Sequence, residues 1–270
     1  MKLSNILSRK NRILLRELVI TDFKLRYQGS ALGVLWSVLK PLFLFAILYV
    51  VFDQFLKLGR DIEHFPVYLL LGIVLWTFFT EATIQGLQSI VSRGDLIRKI
   101  NFPKYIIVVS STVSAFINLL INLVVVFAFI LFNGVDLHWH ALLAIPLIIE
   151  LYVLALAIAF LLSSINVKLR DVGYLWEIFL QAAFYATPII YPIQMVIAQS
   201  EWAGKLLLLN PVAQIIQDMR FVLVTDQTIT LWNFVAEGWK HVIPFAIIVI
   251  VLILAIIYFK KNSKKFAEQL

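Results

Sequence analysis

The 270-residue chain contains no cysteine, and only 14% of its residues are charged. The absence of cysteine excludes a disulfide framework, a thiolate metal site and a cysteine nucleophile. An ordinary soluble domain is about 25% charged and about 45–50% apolar, whereas 61% of this chain is hydrophobic. The composition therefore excludes a soluble globular protein and indicates a membrane protein with several helices.

The motifs of a catalyst are also missing. A phosphate-binding loop of the form G-x-x-x-x-G-K-[ST] does not occur, because the one Gly-Lys pair, Gly204-Lys205, is followed by Leu206. His138 and His140 lie two residues apart, but no third ligand is placed by sequence to complete a metal site. We therefore expect no catalytic residues, no metal site and no cofactor in this chain.

Six apolar stretches are candidates for membrane spans, each of which needs about 20 residues. The predicted spans cover about 33–55, 65–90, 105–132, 141–167, 172–186 and 242–259. The first contains Lys40-Pro41, a pair expected near a membrane face or at a kink. The fold class is accordingly an all-α integral membrane protein with six transmembrane helices in a transmembrane domain of residues 33–260.

The segment 187–225 differs from its neighbours because proline residues separate its short apolar pieces. Short hydrophobic segments with such breaks are typical of re-entrant helices, whose irregular backbone must be buried in protein or line water. We therefore predict short re-entrant helices on the external side, between the fifth and sixth spans. A loop lying on the outer bilayer surface is the alternative.

The basic residues predict the orientation. Seventeen of the 23 Lys and Arg residues lie in the head (1–32), in the loop between the second and third spans, in the loop between the fourth and fifth spans, or in the tail (261–270) together with Lys260 just before it. Five lie on the opposite side. The positive-inside rule therefore places both termini in the cytoplasm, which agrees with an even number of spans.

The head is predicted to be an amphipathic helix. Leu7, Leu14, Leu18 and Leu25 fall on one stripe at helical spacing, with seven basic residues around them. Such a helix would lie in the headgroup plane, with its stripe in the acyl boundary and its cations toward anionic lipid. An ordinary basic juxtamembrane leader is the alternative.

Four ionisable side chains fall within or beside the spans: Lys40, Glu81, Glu150 and Glu177. A charge in hydrocarbon costs about 2.5–3.5 kcal/mol on insertion scales, so each should face a bundle interior, a wet cavity or an interface. Lys40 can snorkel and Glu177 lies near a cytoplasmic end, which leaves Glu81 and Glu150 as candidates. Each is either functional or a hydrogen-bond partner between helices.

The chain is rich in aromatic residues, with 7 Trp, 9 Tyr and 21 Phe. Several recur through the first and fifth spans rather than only at the interfaces, and aromatic faces suit the apolar face of a sugar ring. The candidates for lining a substrate channel are Trp36, Tyr49, Phe52, Trp76, Tyr174, Trp176, Phe184, Tyr185 and Tyr191. Lipid-facing or packing aromatics explain the same spacing.

Three segments, in this order, carry a resemblance to a known family. They are the Tyr27–Trp36 segment with Lys40-Pro41, the Leu96–Lys104 segment, and Leu169–Pro192 followed by Leu209–Val212. Together they resemble the permeases of type-2 ABC exporters that move lipid-linked polysaccharides such as O-antigen, capsule and teichoic acid. The resemblance covers nearly the whole chain.

The resemblance implies a homodimer in the bacterial cytoplasmic membrane that pairs with two copies of a separate ATP-binding subunit, which holds ATP and Mg²⁺. The substrate would be an undecaprenyl-linked glycan; membrane lipid is a further partner, and nucleic acid is not. The implied ATPase-coupling residues are Arg93, Asp95, Leu96, Ile97, Arg98 and Lys99. The implied substrate-access residues are Arg16, Lys24, Arg26, Leu32 and Gly33.

Two rival functions remain open. A secondary transporter driven by protons through Glu81 or Glu150 would need such carboxylates at mid-membrane, although the chain shows no inverted repeat of broken helices. A membrane enzyme of glycan assembly would need a constellation of acid and base residues at a membrane face, and the sequence indicates none.

Overall fold

The computed structural model describes residues 8–59 and 62–270, and within them the chain is helical, without a strand. The α-helices are α1 (Arg9–Tyr27), α2 (Leu35–Tyr49), α3 (Phe65–Ser92), α4 (Gly94–Lys99), α5 (Tyr105–Phe132), α6 (Ala144–Asn166), α7 (Val172–Ala186), α8 (Ile193–Gln199), α9 (Glu201–Leu208), α10 (Pro211–Leu223), α11 (Leu231–Phe234), α12 (Ile243–Asn262) and α13 (Phe266–Gln269). Short 3₁₀ segments are Trp139–Leu143, Gly238–Val242 and Ser263–Lys265.

Five helical segments in the described chain are long and apolar enough to cross a membrane. They are Leu35–Phe55, Phe65–Ser92, Tyr105–Phe132, Trp139–Asn166 and Gly238–Gln269. The number rises to six if α9 and α10, which meet at an angle of 92°, form one broken span. The prediction of a multi-pass, all-helical membrane protein is confirmed.

The predicted fifth span is a helix over the predicted residues, but α7 has 15 residues and is about 22 Å long. The hydrocarbon core is about 30 Å thick. By length alone α7 does not qualify as a span, and the count of six spans with α7 as the fifth stays a prediction.

Helix α3 is the centre of the fold. Of the 18 most apolar consecutive residues of α3, 78% are buried. The corresponding fraction is 6% in the first span and at most 39% in the other spans. A helix that is hydrophobic all round is expected to be surrounded by other helices. Gly86 allows α6 to approach, since a Cβ there would lie 2.3 Å from the Cβ of Ala159.

The first span runs without interruption through Lys40-Pro41, because Pro41 lies inside α2. The helix then widens into π-helical turns over Val50–Phe55. Proline removes a backbone donor there, and whether the pair lies near a membrane face or at a kink stays a prediction.

The segment 187–225, predicted to be external, folds into the short helices α8, α9 and α10. Helix α10 begins where Asn210 Oδ1 accepts a hydrogen bond from the backbone N–H of Val212 at 3.0 Å, with Pro211 in the first turn. This is a favourable N-terminus, because asparagine satisfies a free donor and proline has none to satisfy. Short helices agree with the prediction, and whether they re-enter the bilayer stays a prediction.

The head helix α1 packs against α5. Leu14 and Leu18 contact a buried apolar cluster that we call the cytoplasmic cluster after the predicted orientation, whereas Leu25 is 64% exposed. Leu7 lies outside the described residues. The stripe was expected to face lipid, but two of its leucines pack on protein, because an amphipathic pattern does not distinguish an acyl boundary from an apolar protein surface.

Candidate functional site

A cavity of about 990 Å³ lies where the end of α1 meets helices α2, α3, α5 and α7. Its walls are mainly apolar, and its polar side chains come from different helices. The polar and aromatic residues that line it include Arg26, Trp36, Ser37, Lys40, Trp76, Glu81, Asn118, Asn122, Glu177, Gln181, Phe184 and Tyr185. Such a mainly apolar space with a few convergent polar groups is typical of a ligand site.

The polar centre of the cavity is an ion pair between two helices. The Arg26 guanidinium at the end of α1 donates to Glu81 Oε1 on α3. Asn118 Nδ2 on α5 donates to the same oxygen at 3.0 Å. Lys40, also on the cavity wall, has no hydrogen bond or ion pair in residues 8–59 and 62–270, although its charge acts on the Glu81 carboxylate. The cavity therefore places two cations near one carboxylate.

Asn122 fixes the first span beside this centre. Its Nδ2 donates to the carbonyl of Ser37 on α2 at 3.1 Å and to the carbonyl of Asn118, one turn earlier on α5, at 2.8 Å. Asn118 and Asn122 were not predicted as site residues, because the polar candidates within the spans were restricted to ionisable side chains. The available signal was two amides at i and i+4, on one face of a stretch of 28 uncharged residues.

Four of the nine predicted channel aromatics line this cavity: Trp36, Trp76, Phe184 and Tyr185. Trp76 and Phe184 are in contact, with ring centroids 6.1 Å apart, and join α3 to α7. Trp36 and Tyr185 keep 39% and 66% of their surface exposed. Exposed rings beside polar groups can stack on sugars and also supply a hydrogen-bonding N–H or O–H.

The other five predicted channel aromatics do not line the cavity. Tyr49 stacks on Phe45 with centroids 5.7 Å apart. Phe52 packs at the edge of the main core. These two rings of the first span therefore face protein rather than the cavity.

The remaining three aromatics belong to α7 and the turn after it. Trp176 Nε1 donates to Thr83 Oγ1 at 3.0 Å, which fixes α7 to α3. Tyr191 donates its hydroxyl to the carbonyl of Tyr185 at 3.1 Å. Tyr174 keeps 72% of its surface exposed and does not line the cavity.

The predicted substrate-access residues are spread over the end of the head helix and the turn after it. Arg26 reaches the cavity, whereas Arg16 and Lys24 are exposed on α1. Leu32 is exposed in the turn, and Gly33 has φ of +50°, a left-handed conformation that glycine adopts without strain. The structure therefore brings only Arg26 into the cavity.

The predicted coupling segment forms the short helix α4, and its side chains divide into two groups. Ile97 is buried in the cytoplasmic cluster and Leu96 packs against it. Asp95, Arg98 and Lys99 are exposed. The helix is therefore attached by its apolar side, and its charged side is accessible.

Arg93, the sixth predicted coupling residue, is used inside the chain. Its guanidinium forms an ion pair with Asp22 of α1 and donates to Ser110 Oγ of α5 at 2.9 Å. Asp22 was not predicted as a site residue, because a single acidic residue in a basic segment does not form a recognisable sequence motif.

The predicted basic tail folds back onto the coupling helix. Phe266 of α13 is fully buried in the cytoplasmic cluster and contacts Phe259 of α12, with centroids 5.5 Å apart. A Cβ on Gly94 would lie 3.6 Å from the Cβ of Leu270. The tail therefore supports α4 instead of lying apart from the fold.

Glu150, the second carboxylate of the rival transporter, lies outside the cavity. It is near Asp218 of α10, and Glu150 Oε1 is buried without a hydrogen-bond partner among the described residues. No group of three or more His, Cys, Asp and Glu side chains in residues 8–59 and 62–270 is arranged to hold a metal ion.

Comparison with known proteins identifies the family. The family model described as ABC-2 type transporter matches residues 13–224. The O-antigen export system permease protein RfbA of Myxococcus xanthus is 28% identical over 260 residues, which is 96% of each chain. A protein of the same name from Klebsiella pneumoniae is 27% identical over 248 residues, covering 92% of this chain and 91% of the relative.

The family match includes the head helix, the cavity, the coupling helix and α10, so it covers the elements that build the site. Membership in this family implies association with an ABC nucleotide-binding subunit. It also agrees with the absence of a phosphate-binding loop from the sequence. The chain therefore belongs to the ABC-2 type transporter family, as a multi-pass permease subunit.

Proposed function

We propose that the chain is the transmembrane subunit of an ATP-driven exporter that moves lipid-linked polysaccharide across the bacterial cytoplasmic membrane. Two relatives that match it over more than nine-tenths of their length are named as O-antigen export permeases. In this proposal two copies of the chain form the translocation path, and two nucleotide-binding subunits hydrolyse ATP. Both termini lie in the cytoplasm.

The observation that carries the proposal is the chemistry of the cavity, where Arg26 and Lys40 lie beside exposed aromatic rings. An undecaprenyl-linked glycan has a diphosphate between its lipid and its sugars, and charge-assisted bonds from arginine to phosphate are strong. We assign the diphosphate to Arg26 and Lys40. The ammonium of Lys40 can bind it without breaking a hydrogen bond within the described residues.

The sugars are assigned to the rings of Trp36, Trp76 and Tyr185. A translocating polymer must be guided without being held tightly, and stacking on flat apolar faces meets this requirement. A continuous polar path through about 30 Å of hydrocarbon is needed for the glycan. One copy of the chain offers one wall of such a path, and a second copy is assigned the opposite wall.

The nucleotide-binding subunit is assigned to the exposed side of α4. Asp95, Arg98 and Lys99 offer charged contacts there, while Leu96 and Ile97 attach the helix to the rest of the permease. A helix held by its apolar side can transmit a displacement of the subunit to the spans, because packed interfaces do not deform continuously.

The experiment that tests the proposal measures ATP hydrolysis by the permease and its nucleotide-binding subunit in nanodiscs, with and without undecaprenyl-linked glycan. We expect glycan to change the rate of the complex, and the permease alone to be inactive. Trp36→Ala should reduce the response, whereas Phe43→Ala should not, because Phe43 is an exposed ring of α2 that lies outside the cavity.

Two results would contradict the proposal. One is a complex whose ATP hydrolysis ignores the glycan. The other is transport that follows a pH gradient without ATP, which would support the proton-coupled rival. In the structure Glu81 is paired with Arg26 and Asn118, which gives this carboxylate a role in positioning the head helix without any proton transfer.

A further inference from the structure

The head helix is attached to the permease by two ion pairs. Asp22 pairs with Arg93, and Arg26 pairs with Glu81. Asp22 and Arg26 are four residues apart in α1, so they lie on the same face of the helix, one turn from each other. Their partners belong to two functional regions, since Arg93 begins the coupling helix and Glu81 lies in the cavity.

Arg93 occupies the junction between the second span and the coupling helix. It is the C-terminal flanking residue of α3 and also the N-terminal flanking residue of α4. Its guanidinium contacts α1 through Asp22 and α5 through Ser110. A displacement of Asp22 therefore acts directly on the residue from which the coupling helix starts.

The carboxylate of Asp22 is only half satisfied. One oxygen accepts from Arg93, whereas Oδ2 is buried and has no hydrogen-bond partner in the described chain. A buried acceptor without a partner costs roughly 1–3 kcal/mol. An ion pair retained at such a cost is poor at stabilising a fold, and positional switching is the best supported use of partly buried pairs.

Apolar packing makes the head helix and the coupling helix one connected unit. Leu14 and Leu18 of α1 contact the cytoplasmic cluster that contains Ile97 of α4. Contiguous packed side chains of this kind have few intermediate positions, so a shift of one helix is transferred to the other.

We propose that Asp22 is a positioning residue that links the occupancy of the cavity to the orientation of the coupling helix. When an anionic ligand group binds Arg26, Glu81 loses the guanidinium and keeps Asn118, and the end of α1 is released from α3. Asp22, one turn earlier, then moves Arg93 and with it the start of α4. This inference rests on the proposed function, because it requires a substrate in the cavity and an ATPase at α4.

The test uses the complete complex in nanodiscs, with the permease variant Asp22→Asn. Asparagine keeps the size of the side chain and removes its charge. We expect the stimulation of ATP hydrolysis by undecaprenyl-linked glycan to fall at least five-fold, a loss of about 1 kcal/mol of coupling. Basal hydrolysis and the yield of the complex should not change, because Leu96 and Ile97 still hold the coupling helix.

Restoration of the ion pair separates a positioning role from a merely structural one. The double variant Asp22→Arg with Arg93→Asp keeps the pair with its charges exchanged, and we expect it to regain most of the stimulation. Arg12→Ala is the matched control, because Arg12 is an exposed charge of the same helix without an assigned role. It should leave the stimulation unchanged.

The possible outcomes are distinguishable. A wild-type complex that does not respond to glycan contradicts the proposed function and this inference with it. A responsive wild type with an equally responsive Asp22→Asn variant contradicts the inference alone. The inference is also wrong if Asp22→Asn lowers the yield of the complex as much as the stimulation and the exchanged pair restores neither.

Discussion

The two sides of the molecule use their buried arginines differently. On the side predicted to be cytoplasmic, Arg26 and Arg93 form ion pairs with carboxylates, and the four side chains keep between 17% and 27% of their surface exposed. On the side predicted to be external, Arg220 of α10 is completely buried. Its partners are the carbonyls of Tyr68, Pro188 and Ile189, the amide oxygen of Gln217, and the ring of Tyr68, whose centroid is 3.5 Å from the guanidinium carbon.

The difference shows which contacts an anionic substrate can replace. A diphosphate competes with a carboxylate for a guanidinium, because both anions can accept two parallel hydrogen bonds from it. It has no access to Arg220, which is enclosed by neutral backbone oxygens. The cytoplasmic pairs are therefore exchangeable contacts, and the external arginine is a fixed clamp that joins α10 to α3 and to the turn after α7.

The largest effect is expected from Arg220→Ala. The variant leaves three backbone carbonyls without their donor, and each unsatisfied buried group costs roughly 1–3 kcal/mol, so unfolding should become easier by at least about 3 kcal/mol. Thermal unfolding of the purified protein in detergent measures this loss. A melting temperature equal to that of the wild type would show that the external clamp does not hold the fold.

Gly72→Ala should have the next largest effect, because the added Cβ would lie 2.5 Å from Nη2 of Arg220. Overpacking of this kind typically costs about 1–3 kcal/mol. Gly238→Ala is the matched control, since a Cβ there meets no atom within 4 Å. Equal melting temperatures of the two variants would contradict the close contact between α3 and Arg220.

The cytoplasmic pair should affect ligand binding more than stability. Arg26→Ala removes a charge-assisted bond to phosphate and should weaken binding of undecaprenyl diphosphate about ten-fold or more, since such bonds are worth about 1.5–3 kcal/mol. Glu81→Gln removes the competing carboxylate and should strengthen binding. Both should change stability by about 1 kcal/mol or less, as is usual for partly exposed pairs.

Isothermal titration of the nanodisc complex with undecaprenyl diphosphate distinguishes the two variants by the sign of the effect. Arg12→Ala should titrate like the wild type. If Arg26→Ala and Glu81→Gln change the affinity in the same direction, the cytoplasmic pair is not exchanged for the ligand.

The smallest effect is expected at the exposed external pair Glu237–Lys240, whose charged atoms are 3.0 Å apart. The hydrogen bond from Lys240 lowers the pKa of Glu237. A lowered pKa contributes stability above the ordinary pKa of the carboxyl, and this contribution is lost as the pH falls through the lowered value. Because the group is fully exposed, Glu237→Gln should melt like the wild type at pH 7 and at pH 4.

The sequence predicted where the helices begin and end better than it predicted which side of each helix contacts protein. The third span, Tyr105–Phe132, and the helix Val172–Ala186 have the predicted bounds, because uninterrupted apolar runs and flanking charges define where a helix begins and ends. The fourth span, predicted from residue 141, begins at Trp139, because the 3₁₀ segment Trp139–Leu143 precedes α6 in the same span.

The contacts between helices could not be predicted from one sequence. Asp22 and Arg93 are 71 positions apart, and Arg26 and Glu81 are 55 positions apart. Which faces meet depends on the rotation of each helix, and an apolar helix in a membrane protein has no polar face that fixes this rotation. For the same reason Tyr49 and Trp176 contact protein, whereas Trp36 and Tyr185 reach the cavity.

The most direct test of the central claim is transport in proteoliposomes that contain the permease and its nucleotide-binding subunit. The measured quantity is the amount of undecaprenyl-linked glycan that reaches the side opposite the ATPase. We expect accumulation that requires hydrolysable ATP, persists without a pH gradient, and is lost in the Arg26→Ala variant. Accumulation driven by a pH gradient in the absence of ATP would contradict the account.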